Sequence, residues 1–220
     1  MMRNEVVTSR SDATILFSGE QLDESDCDVW LEILHLARRS KRNERVEFVR
    51  SKFLQSIGRT ACGPMYFWLE KAINRLTLAM IQIETSKYSI GGTVGCSALH
   101  LTDSYDLCRA SGHYCLAVDR RLVTLFSGNE FTRIDWSKRL QISSHRNMAK
   151  FLQRLICTSS DRKQRYALAH LKNLTHYNSQ DSKFEESIMG ALQELKRVGI
   201  IGSFRTEKNL AGEKYVLWTR

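Results

Sequence analysis

Six cysteines (27, 62, 96, 108, 115 and 157) and six histidines (35, 100, 113, 145, 170 and 176) are the first side chains here that can do chemistry. Thiolates and imidazoles hold zinc when they come in close pairs, as C-x-x-C with a matching histidine pair. No two cysteines have that spacing. Cys96, His100, Cys108 and Cys115 make the one conceivable set, and its irregular spacing argues against it. No His-x-His triplet is present to hold the metal of a DNA-nicking nuclease. There is no P-loop, no H-E-x-x-H and no G-x-S-x-G frame. Gly91, Gly92 and Gly95 lack the strand-to-helix context and the lysine of a phosphate loop, and read as turn residues. The expectation is a protein without metal, cofactor or catalytic group, and so not an enzyme.

A second group has the chemistry of recognition. Ser182, Lys183, Glu186 and Ser187 fall together at the start of a long helical pattern, away from its apolar stripe. Lysine donates to guanine O6 and N7, and glutamate accepts from cytosine N4. In a helix-turn-helix it is the start of the second helix that enters the major groove. Lys208 and Lys214 flank a following turn, where they can meet phosphate or the minor groove. Lys71, Asn74 and Arg75 lie on an earlier helix in a comparable position.

The charge around these residues is segregated. The net charge is +9, yet residues 1–130 carry 16 basic and 16 acidic side chains. The whole excess lies in residues 131–220. There Arg133, Lys138, Arg139, Arg146 and Lys150 lead a run of ten cations, against only Asp135 and Asp161, up to residue 180. A basic half is the footprint of a polyanion binder. Hydrophobic residues make up 42% of the chain, enough for a core, and no apolar run is long enough to span a membrane. The N-terminus has no apolar segment behind its charge, and the scattered cysteines suit a reducing compartment, so a cytoplasmic protein is expected.

The elements that position these residues can be read from periodicity. Residues 1–12 are expected to be a disordered tail. A strand over Ala13–Phe17 precedes a helix capped by Ser25, with Asp28 in the capping-box position. A short strand (45–50), a short helix (52–57) and a helix opened by Gly63-Pro64 follow. Residues 78–84 and 93–101 then form a hairpin across Gly91-Gly92, and 113–118 a further strand. In the second half, Asp135 and Ser144 cap two helices, and Tyr166–Leu174 forms a third. The last helix begins at Asp181 or Ser182, and its Phe184, Ile188, Ala191, Leu195 and Val198 lie within about 80° of one another. Strands at 200–205 and 214–218 close the chain. Each half reads as a helix-turn-helix followed by a β-hairpin. The fold class is therefore α+β, two winged-helix domains in tandem, over residues 13–118 and 119–220.

The residues also carry a resemblance. Phe17-Ser-Gly-Glu-Gln-Leu-Asp-Glu-Ser-Asp-Cys-Asp-Val-Trp-Leu, running into Ile33–Arg38, resembles the opening motif of the TrfA-type plasmid replication initiators. Phe131-Thr-Arg-Ile-Asp-Trp-Ser-Lys-Arg with the 148–155 helix, and Phe184 through Leu192-Gln-Glu-Leu to Gly199, resemble later parts of that family.

This resemblance implies a non-enzymatic initiator that binds direct repeats (iterons) in a plasmid origin. It implies melting of adjacent A+T-rich DNA, with possible binding of the single strands, and recruitment of a host initiator and the replicative helicase. It also implies exchange between a dimer and a DNA-binding monomer. The first domain would serve dimerisation and secondary DNA contact, and the second would be the main reader. Two other functions fit the same fold. One is a tandem winged-helix transcriptional regulator on a palindromic operator; the other is a winged-helix adaptor that binds proteins.

Overall fold

The structure, a computed structural model, describes residues 2–7, 13–39, 45–85, 89–91, 99–125 and 132–220. The chain forms two compact units, Met1–Phe131 and Thr132–Arg220. In order, the first unit runs β1 (Met2–Val6), β2 (Ala13–Gly19), α1 (Glu24–Arg39), β3 (Arg45–Val49), α2 (Arg50–Ser56) and α3 (Gly63–Leu78). It continues with β4 (Met80–Thr85), β5 (Ser89–Ile90), β6 (Leu99–His100), β7 (Ser104–Cys108), β8 (His113–Ala117) and α4 (Arg120–Leu125). The second unit runs α5 (Trp136–Gln141), α6 (Asn147–Cys157), β9 (Lys163–Ala167), α7 (Leu168–Leu174), α8 (Asp181–Arg197), β10 (Ser203–Lys208) and β11 (Lys214–Thr219).

Both units contain one plan: helix, strand, helix, helix, then a hairpin whose second strand pairs with the first strand of the plan. In the first unit the sheet order is β3-β8-β7, and in the second β10-β11-β9, all antiparallel. The winged-helix architecture expected from the sequence is present twice. The first wing is different from the one expected. The 78–101 segment does fold back as expected, with β4 pairing antiparallel with β6 at Met80–His100 and Ile81–Leu99, but it lies in a separate sheet with β1, β2 and β5 and is not the wing. The wing is instead β7–β8. Gly92 of the expected turn and residues 93–98 of the expected return strand, including Gly95 and Cys96, lie outside the described residues.

Four further differences have local causes. Met2–Val6 is a strand on β2, with the Val7 amide donating to the Ile15 carbonyl at 2.7 Å, where a disordered tail was expected; residues 8–12 lie outside the described residues. Asp23, rather than Ser25, caps α1: its Oδ1 accepts from the Ser25 and Asp26 amides, and Asp26 Oδ2 accepts in return from the Asp23 amide. Lys163–Ala167 is a strand that passes into α7 without a break, so the helix expected from Tyr166 begins only at Leu168. The units meet after residue 131 rather than 118, since α4 packs on α1 and buries Leu122.

The cores follow from the helical stripes. In the first unit Val29, Ile33 and Ala37 of α1 are buried, as are Leu69, Ala72, Ile73 and Leu76 of α3. Arg75 of α3 also donates to both carboxylate oxygens of Asp26, at 2.6 and 3.2 Å, and so ties the two helices. In the second unit Phe184, Ile188, Ala191, Leu192 and Leu195 of α8 pack with Leu152 and Ile156 of α6, Leu171 of α7 and Trp218 of β11. Gln164 fastens the sheet: it accepts from the buried Trp218 indole at 2.9 Å and donates to the Ile156 carbonyl at 3.1 Å.

Candidate nucleic-acid interface

The burial of one stripe of α8 decides what its other side presents. With Phe184, Ile188, Ala191, Leu192 and Leu195 turned inward, Ser182, Lys183, Glu186 and Gln193 are exposed and Ser187 is half-buried. Asp181 opens the helix next to Lys172 of α7, whose ammonium holds its carboxylate below the usual range. The helix therefore begins with donors and acceptors held on a rigid scaffold. Neither Lys183 nor Glu186 meets an ion-pair partner among the described residues. The groups left facing solvent are the ones a base edge needs.

Gly190 sits in the middle of this helix, where glycine costs about 1 kcal/mol relative to alanine. Its backbone is ordinary helix, so no unusual dihedral demands it. A Cβ there would meet only one atom within 4 Å, Nη1 of Arg146, at 3.2 Å. Arg146 is exposed and stands at the N-cap of α6; Ser144, expected in that place, lies two residues too early.

The wing is fixed beside α8. Lys214 Nζ donates to Glu185 of the helix, so this lysine is engaged within the unit. Arg165 of β9 stacks 3.6 Å from the Tyr215 ring centroid and donates to Glu207 at 2.8 Å. The turn is closed by Asn209, which accepts from the Glu213 amide and donates to its carboxylate at 2.9 and 2.7 Å. Lys208 is exposed, and Leu210 at the tip has no cover at all.

Two of the cations expected at the interface are buried inside the second unit, which corrects the sequence reading. Arg139 is 1% exposed and donates to the Lys150 carbonyl at 3.2 Å and to Gln153 at 3.4 Å. Lys150 is 6% exposed. Burial withdraws both from the surface. Lys138 is half-buried and donates to the Gly199 carbonyl at the end of α8, at 2.6 Å. Arg133 is exposed. Arg162, Lys163 and Arg165, which belong to the run of ten cations but were not placed at the interface, are exposed on and beside β9.

In the first unit α3 holds the place of α8. Lys71 and Asn74 are exposed, but Arg75 is committed to Asp26, and this removes it from the expected set. In its stead the structure presents Phe67, 60% exposed, with the Lys71 ammonium 4.4 Å from its ring centroid. No group of three or more His, Cys, Asp and Glu side chains is gathered to hold a metal ion among the described residues. His100, part of the one conceivable set, donates from Nδ1 to the Thr77 carbonyl at 2.8 Å.

Comparison with known proteins places this architecture. The family model described as TrfA protein matches residues 2–214. The plasmid replication initiator protein TrfA of Escherichia coli is 23% identical over 206 residues, covering 91% of this chain and 52% of that protein. The chain thus spans about half the length of this curated relative. Domains 2–3 of RctB superpose with a TM-score of 0.60 at 12% identity, covering 99% of this chain and 91% of theirs. Pi initiator protein, solved in complex with iteron DNA, does so with a TM-score of 0.60 at 13% identity, covering 93% and 96%.

Proposed function

We propose a function from one premise: the chain belongs to the TrfA family. It is a plasmid replication initiator that binds direct repeats at the origin, helps open the adjacent A+T-rich duplex and brings the host initiator and replicative helicase to it. It does this in the cytoplasm, without a reaction of its own, and exchanges between a dimer and a DNA-binding monomer. The second unit is the main reader, through Ser182, Lys183, Glu186 and Ser187. The first unit serves association and, through Lys71, Asn74 and Phe67, secondary DNA contact.

The observation that carries this reading is the solvent face of α8 in a unit that holds the whole +9 of the chain. The fold seen in a protein solved on iteron DNA supports it. A winged-helix regulator would share the fold but recognise a palindrome, because a stable two-fold dimer reads inverted half-sites. Direct repeats instead bind monomers head to tail. Footprinting on the DNA around the gene tests this. Protection of an array of direct repeats beside an A+T-rich stretch is expected, with binding that weakens steeply as salt rises. Protection of a single palindrome would show a regulator. Absence of salt-sensitive DNA binding would show a protein adaptor.

A further inference from the structure

We infer that Arg146 is a specificity-determining residue that reads a guanine, and that Gly190 is the seat which lays it across the reading face of α8. This rests on the DNA-binding reading above and adds a residue that lies outside the recognition helix. Gly190 is two turns along from Lys183, about 20° away around the helix, and falls along the axis between Glu186 and Gln193. A glycine at this point is required neither by a left-handed backbone nor by a close-packed neighbour. The one thing it accommodates is the Arg146 guanidinium, whose Nη1 lies 3.2 Å from where a Cβ would be.

A guanidinium so placed has the geometry that base reading needs. Its planar fork matches O6 and N7 of guanine, the commonest specific contact in the major groove. The side chain starts from the N-cap of α6, a separate helix, so its approach is set by the packing of α6 against α8 rather than by the register of the reading helix. A contact to phosphate alone would not need a seat on the reading face, because phosphates line both edges of the groove.

The test uses the full chain and a duplex that the wild-type chain selects from a randomised pool. Each guanine of that duplex is replaced in turn by 7-deazaguanine, which lacks the N7 acceptor. One such replacement is expected to weaken wild-type binding about tenfold or more. Arg146→Ala should bind the parent duplex correspondingly less well and be indifferent to that same replacement, whereas Lys183→Ala should remain sensitive to it. Gly190→Gln fills the seat with a good helix former. It should raise the melting temperature and still abolish the sensitivity, and Gly190→Ala should do both to a smaller degree.

The inference is overturned if Arg146→Ala weakens the selected and random duplexes equally, which marks a phosphate contact. It is overturned too if Gly190→Gln keeps full sensitivity, or if the wild-type chain responds to no replaced guanine. If no duplex is selected and no salt-sensitive binding is found, the DNA-binding reading itself falls with it. Retained binding with any of the other outcomes overturns Arg146 alone.

Discussion

Lys183 and Glu186 differ from Arg139 and Lys150 in what surrounds them, and so in what their loss does. Lys183→Ala and Glu186→Ala remove exposed groups and leave the fold intact. Each should cost about 1–3 kcal/mol on the specific duplex and little on random DNA, by competition binding. Lys208→Ala on the wing should weaken both duplexes alike and lower the salt slope by about 1, since phosphates repeat regardless of sequence. Arg139→Ala should do neither. It leaves the Lys150 carbonyl and Gln153 without their buried donor, and should lower unfolding stability by about 1–3 kcal/mol in denaturant titration. Affinity per folded molecule should stay unchanged. A count of cations along the sequence cannot make this distinction, because an arginine that satisfies a buried carbonyl has the same letter as one that faces DNA.

At the scale of elements, α8 is held at its end as firmly as at its core. Arg197 donates to both carboxylate oxygens of Glu194 and to the Gln141 carbonyl, while the Ser143 amide and hydroxyl donate to Glu194. The Arg197 guanidinium, with help from Ser143, holds the Glu194 carboxyl down at about 2, from an ordinary 4.5. The unfolded chain binds that proton more readily than the folded one. The carboxylate therefore contributes full stability above pH 4.5 and loses it as pH falls toward 2. Glu194→Gln should flatten this part of the stability–pH curve, measured by urea midpoints over the same range.

The helices of this scaffold were legible because their stripes are long: Phe184 to Val198 shows its face without help. The strands that failed were those fixed by distant partners. Lys163–Ala167 has no breaker before Leu168, so strand and helix run together in the text. The first wing depends on β8 pairing with β3 across the intervening elements, while the nearer candidate, β4, is claimed by β2. Met2–Val6 is held by backbone pairing on an edge, which polar side chains do not announce. Gly190 was likewise silent, because its meaning lies in Arg146, on another helix.

For the molecule as a whole, the division of charge follows the division of structure: the unit from Thr132 carries all of the +9. A fragment of residues 132–220 should bind duplex DNA measurably and one of residues 1–131 much more weakly, by fluorescence anisotropy at low salt. Circular dichroism must first show that each folds, and equal affinities of the folded fragments would refute the division of labour. The units nevertheless share their metre. In each, a five-residue strand runs straight into a seven-residue helix, and six residues then lead to the long helix. Such equal spacing sets the long helix at one fixed distance along the chain from its strand in both units, so a single frame presents two solvent-facing helices. Burial fixes a handful of positions in each unit and leaves the solvent face to any polar residue, so the same frame is cationic in one unit and neutral in the other.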